Sequence, residues 1–154
     1  MINHKSQMKN NLLIVLFISF MLLSCAKDSV ELQNTVTAYN KMLIEALAKP
    51  DEHIMEYFTS GDELARIGAY ILRLKVEKRI MISEVKKLEF LSTTISDDKK
   101  GASLNTRESW SYHYVDFKTR EPITEPETIE YENIYKLINV QSRWVVDSIE
   151  VKEK

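Results

Sequence analysis

Glu108, Trp110, Tyr112, Tyr114 and Asp116 stand at every second position of one alternating run, and Tyr135 lies in a second such run further along. A strand turns alternate side chains to the same face. Two paired strands would therefore gather carboxylates, phenols and an indole around one spot. Tyrosine with a carboxylate is the equipment of general acid–base chemistry, provided the groups occupy a water-poor pocket that shifts their pKa values. The same residues also suit a wedge-shaped core, because aromatic side chains are ordinary sheet material and buried hydroxyls find hydrogen-bond partners. His113 falls on the opposite face, which argues against a histidine-centred dyad.

Other chemistries find less material. His53 with Glu52 and Glu56 forms a helical cluster, but one histidine without a second His or Cys rarely holds a metal, so no metal site is expected. No glycine loop that could cradle a phosphate and no Gly-x-Ser-x-Gly elbow occurs, and no cofactor is expected. The acidic residues Glu121, Glu125, Glu127, Glu130 and Glu132 could dock a basic partner, although such runs beside prolines are usually just solvated.

Cys25 is the only cysteine and closes an apolar run from Leu12 to Leu23 that Lys5 and Lys9 precede. A positive n-region, an apolar h-region and a small residue before the cysteine read as an export signal. The ending resembles the bacterial lipobox, with Leu22 three positions before the cysteine and Ser24 just before it. That resemblance implies cleavage between Ser24 and Cys25, a diacylglyceryl group on the thiol and an acyl chain such as palmitate on the amine. Two or more chains hold a protein stably on a bilayer, whereas one holds it marginally. The run is shorter than the roughly 20 residues a membrane-crossing helix needs, and it lacks the polar stripe of a surface helix. Ala26 follows the cysteine where retained inner-membrane lipoproteins resemble one another in having aspartate, and Asp28 comes too late to replace it. The expected location is thus the periplasmic side of the outer membrane, or the outer leaflet of the cytoplasmic membrane in a one-membrane cell. Met8 with Lys9 would serve as well as Met1 for the start of such a signal.

Three parts are expected: a signal over 1–24, a lipidated cysteine with a short tether over 25–28, and one domain over 29–154. Beyond residue 24 the chain holds 19 basic and 23 acidic side chains, a balance without the basic footprint of nucleic-acid binding. That length suffices for one core and not for two.

Apolar residues at Leu32, Val36, Tyr39, Leu43, Ala46 and Leu47 predict a first helix, with Asp28 or Ser29 as its cap and Lys49–Pro50 as its end. A short second helix is expected over about 51–58. Ser60 and Glu63 read as a capping box. The third helix follows to about Ile80, with one stripe at Leu64, Ile67, Ile71 and Leu74 and another at Ala65, Ala69, Leu72 and Val76, as a widely buried helix would show. From Ser83 the period becomes two, and strands are expected over 85–95, 104–117, 128–140 and 143–151. Trp144 and Val146 should alternate with Val145 and Ile149, and Trp110 and Trp144 should both be buried on the face toward the helices.

Three helices before a four-stranded antiparallel meander give an α+β fold with the helices on one face of a curved sheet. The endings of the last strands, from Tyr131 through Tyr135 and Leu137 to Trp144 and Val146, resemble nuclear transport factor 2-like proteins with their cystatin-like cone. The strand carrying Glu108, Ser109 and Trp110 fits the same layout. The resemblance brings no catalytic signature, although enzymes of that family, such as ketosteroid isomerase and scytalone dehydratase, move protons inside the cone. Two functions follow: a non-catalytic, lipid-anchored module that binds a protein partner or a small apolar ligand, which the lack of a visible site favours, or a small cofactor-free acid–base enzyme of the isomerase or dehydratase type with the Tyr/carboxylate pocket.

Overall fold

The computed structural model describes residues 28–153. The expected signal and the lipidation site at Ser24 and Cys25 lie outside those residues. The chain divides into two units, Met1–Glu31 and Leu32–Lys154, and of the first only residues 28–31 are described. They are helical and open the first helix, α1, over 28–48. Asp28 and Ser29 lie within the helix rather than capping it. Among the described residues no helix is long and apolar enough to cross a membrane.

Leu32, Val36, Tyr39, Ala46 and Leu47 form the buried stripe of α1, and Asn40 is buried beside them. The expected second helix is only a 3-10 turn, Glu52–Met55, capped by the Asp51 side chain, which accepts from the His53 amide. A segment this short closes few backbone bonds for the residues it orders. Among the described residues two α-helices and a 3-10 turn, not three helices, therefore precede the sheet. The second α-helix, α2, runs Gly61–Val76 from an N-cap at Ser60. Only half of the capping box forms. Ser60 Oγ accepts from the Glu63 amide, but the Ser60 amide donates to Val146 O, and the Glu63 carboxylate turns into the protein.

Of the two stripes on α2, only the one with Ile67, Ile71 and Leu74 is buried. Ala65 and Ala69 are exposed, and Leu72 and Val76 are 62% and 74% exposed. The helix also stops before Ile80. Glu77 caps it, Lys78 adopts a φ of 53°, and the strand begins at once.

Four strands follow in a simple antiparallel meander: β1 Arg79–Ile95, β2 Gly101–Asp116, β3 Glu127–Val140 and β4 Arg143–Glu153, hydrogen-bonded in the order β1-β2-β3-β4. The β1–β2 turn is tied by Ser96 and Asp98, and Gln141 and Ser142 both take positive φ in the two-residue turn before β4. That backbone matches the twist of the flanking strands.

The pairing slips at Lys86 and Leu91 in β1 and at Asp147 in β4. Each extra residue is a bulge that bends its strand and reverses the facing of all that follow. Ile149 therefore joins Val146 on the inner face, against the strict alternation read from the sequence, and Val85 and Leu88 share a face despite their odd spacing. Trp144 is buried as expected, but Trp110 is only half-buried. The core joins Leu32, Val36, Ile71 and Leu74 of the helices to Leu104, Tyr135, Leu137 and Val146 of the sheet.

Candidate functional site

Between α1, α2 and the inner face of the sheet, within Leu32–Lys154, lies an open cavity of about 380 Å³. The strand period lines its floor with Glu108, Trp110 and Tyr112 from β2 and Tyr131, Asn133 and Tyr135 from β3. The pairing Glu108↔Tyr131 and Thr106↔Asn133 sets these rows side by side. The helices add Tyr39, Asn40, Leu43, Glu63, Arg66 and Ile67, and the bulge in β4 brings in Ile149.

Glu108 is 1% exposed, and four donors converge on it. Thr106 Oγ1 at 2.6 Å and Tyr135 Oη at 2.8 Å reach Oε1, while Trp110 Nε1 at 2.7 Å and Asn40 Nδ2 at 3.4 Å reach Oε2. A carboxylate that only accepts has room for about this many bonds. The Tyr135 hydroxyl also lies 3.0 Å from Asn40 Oδ1. It carries one proton, and the charged, nearer acceptor takes it. Burial, and then the negative charge of Glu108, raise the Tyr135 pKa well above its ordinary value.

Glu63, 2% exposed, is the second buried carboxylate. It accepts a short hydrogen bond from Tyr39 Oη, and Arg66 Nη2 lies 2.9 and 2.7 Å from its two oxygens. Burial, with Glu63 adding to it, pushes the Tyr39 pKa well up. The rings of Tyr39 and Tyr135 meet edge to face, with centroids 6.1 Å apart. A hydrogen-bonded seam from Arg66 to Tyr39 thus abuts one from Tyr135 to Trp110. Tyr70, beside them, is pushed up to about 12 by burial and by its contact with the Tyr114 hydroxyl at 3.3 Å.

Of the residues singled out from the sequence, Glu108, Trp110, Tyr112 and Tyr135 line the cavity. Tyr114 stands behind it, against Tyr70 and under the Arg79 guanidinium. Asp116 is not in it: its carboxylate caps the next turn, accepting from the amides of Lys118 and Thr119, and those bonds lower its pKa. Asp116 is the last residue of β2, in register with Arg79, and its side chain serves the following turn rather than the cavity. Glu63, Tyr39 and Asn40 were missed. In the sequence Glu63 reads as half of a cap and Tyr39 as plain core, and only the polar Asn40 next to a buried stripe signals a site.

His53 Nδ1 lies 2.6 Å from Glu56 Oε1, a hydrogen bond that raises the imidazole pKa. Among the described residues no group of His, Cys, Asp and Glu could hold a metal ion. Two of the acidic residues singled out have partners within the sheet: Glu127 accepts from Tyr112 Oη, and Glu132 pairs with Arg107.

An α+β domain with a four-stranded antiparallel meander and a buried Tyr/carboxylate seam around an open cavity is the class that these observations define. No protein-family model and no curated protein matches the sequence. Among solved structures, the intermembrane space region of chloroplast protein ARC6 is similar over 79% of this chain and 94% of that one, with a TM-score of 0.70 and 18% identity. A periplasmic fragment of TraM is similar over 79% and 98%, with a TM-score of 0.53 and 11% identity. An NTF-2 like protein of unknown function from Shewanella oneidensis MR-1 aligns over 77% of this chain and 97% of that one at 14% identity, with a TM-score of only 0.42. The first two share the fold, and at such identities the likeness extends to the fold alone.

Proposed function

We propose that this chain is a lipid-anchored, non-catalytic binding module of the bacterial cell envelope, attached through Cys25, whose α+β domain takes a small, largely apolar ligand in its cavity. One observation carries the binding half. The cavity is open, yet its buried carboxylates are already occupied by donors of the protein itself. A general base needs a lone pair within reach of the substrate proton, and Glu108 has its acceptor sites filled. What remains for a ligand is a wall of aromatic and aliphatic side chains around a volume in the range of small-molecule sites.

The anchor rests on the lipobox-like Leu22–Ser24–Cys25, with the periplasmic face of the outer membrane as the destination. The two similar structures are an intermembrane space region and a periplasmic fragment, which supports a placement outside the cytoplasm. Helices followed by a four-stranded meander support counting the domain among the nuclear transport factor 2-like cones. A cofactor-free isomerase or dehydratase is the second reading, favoured by the cavity being open rather than filled and by the Tyr39–Glu63 pair on its wall. It requires the Tyr39 proton to leave Glu63 for a substrate.

The uncharged fluorophore N-phenyl-1-naphthylamine tests the cavity. It should bind with a rise in emission, and Ser83→Phe, which puts bulk on the wall at a hydroxyl without a partner, should abolish that rise without loss of the cooperative melt. Equal binding by the variant contradicts the site. For the anchor, Cys25→Ser should leave an uncleaved, unacylated precursor, and normal processing of that variant would exclude lipidation.

A further inference from the structure

The polar groups around the cavity are lopsided, and the imbalance identifies the charge of what fits. Four of its donors are committed: Tyr39 Oη to Glu63, Tyr135 Oη and Trp110 Nε1 to Glu108, and Tyr112 Oη to Glu127. Its acceptors are not all matched. Asn133, 6% exposed and part of the lining, has an Oδ1 with no partner. Ser83 Oγ, also without a partner, can serve either way.

The charges are unequal as well. Glu63 is neutralised by Arg66, the one cationic side chain among the described lining residues. Glu108 has four neutral donors and no ion pair among the described residues. Its hydrogen bonds compensate the burial through dipoles alone and leave its net charge unpaired, so an approaching cation gains from it.

Aromatic faces complete the pattern. Arginines already lie over the rings of Tyr57 and Tyr114, which are not in the lining, and of Tyr70, which is, at 3.8, 4.2 and 4.8 Å from the centroids. No cation of the protein covers the rings of Trp110, Tyr112 or Tyr39 among the described residues. Trp110 also donates to a carboxylate, and such a bond polarises the donor and makes its ring a better partner for positive charge.

We infer that the cavity selects an organic cation, an alkylammonium or quaternary ammonium group on a compact apolar body, with the Trp110 and Tyr112 faces around the charged head and Glu108 as its counter-charge. This deepens the binding reading of the preceding subsection and rests on it. An anion would meet Glu108 and Asn133 Oδ1 with no free cation of the protein beside them. A neutral ligand of the same shape would fill the volume and leave the charge of Glu108 unanswered.

The test compares two probes of equal shape, phenyltrimethylammonium and tert-butylbenzene, on the full chain in lipid nanodiscs with empty nanodiscs as the blank. The cation should bind at least tenfold tighter. Glu108→Gln should bring the ratio of the two dissociation constants close to one. Should Glu108→Gln fail to fold, Trp110→Phe serves, and it should weaken the cation severalfold and the neutral probe less. Equal affinities in the native chain, or a preference that survives both substitutions, overturn the charge selection and leave the cavity reading standing. Binding of neither probe overturns both.

Discussion

Along β2 two chemistries alternate on opposite faces of one strand. Outward, Arg107 stands in register between Glu89 of β1 and Glu132 of β3, and Lys152 of β4 continues the row. Arg107 reaches Glu132 at 3.1 Å and Glu89 at 4.0 Å with its side chain 41% exposed. Inward and one residue on, Glu108 is buried among four neutral donors. The outer charges are matched by opposite charges and screened by water, so each pair contributes little. The inner charge is matched only by dipoles in a place where every unmet bond is expensive. The number of partners is thus a poor guide to what a charge contributes, and its surroundings decide.

Glu108→Ala should break the contrast hardest. It leaves Tyr135, Trp110 and Thr106 donors buried without an acceptor and should cost about 3 to 5 kcal/mol in urea unfolding of the chain from residue 26 onward. A loss no larger than that of a surface substitution would mean that water already satisfies those donors. Alkali should separate the faces next. Tyr39 and Tyr135 have folded pKa values above the unfolded value of about 10. Their contribution is therefore intact below pH 10 and is lost as the pH rises beyond it, because the unfolded chain releases protons that the fold retains. Absorbance at the tyrosinate band should show the exposed tyrosines ionising first and these two only with unfolding.

Tyr135→Phe removes one of the four donors to Glu108 and should cost about 1 to 3 kcal/mol, read as a lower urea midpoint at unchanged slope. Arg107→Ala, on the outer face, should change stability by less than about 1 kcal/mol, and that small change should shrink further in high salt. A large, salt-independent loss there would erase the contrast.

The period of the residues made the strands and α2 legible, and with them most of the sheet side of the cavity. Alternation in β2 placed Glu108, Trp110 and Tyr112 together because no bulge interrupts that strand between them. It failed for Ile149, where one extra residue at Asp147 reverses the facing, and bulges have no signature in a single sequence. Periodicity also overstated α2, since Ala65, Ala69, Leu72 and Val76 form a stripe that nothing in Leu32–Lys154 buries fully. Glu63 was hidden by its own position: a glutamate three residues after a capping serine suits the helix start, and only the tertiary approach of Tyr39 and Arg66 draws it inward. The expected second helix shrank to a 3-10 turn because Glu52–Met55 is too short to repeat.

That exposed stripe on α2 is also the natural competitor for any apolar ligand, which makes the place of binding the most direct test of an open, functional cavity. Intermolecular nuclear Overhauser effects between N-phenyl-1-naphthylamine and the assigned protein should connect the probe to the Trp110, Tyr112 and Ile149 side chains. Contacts confined to Leu72 and Val76, with none to Trp110 or Ile149, would contradict the cavity as the site.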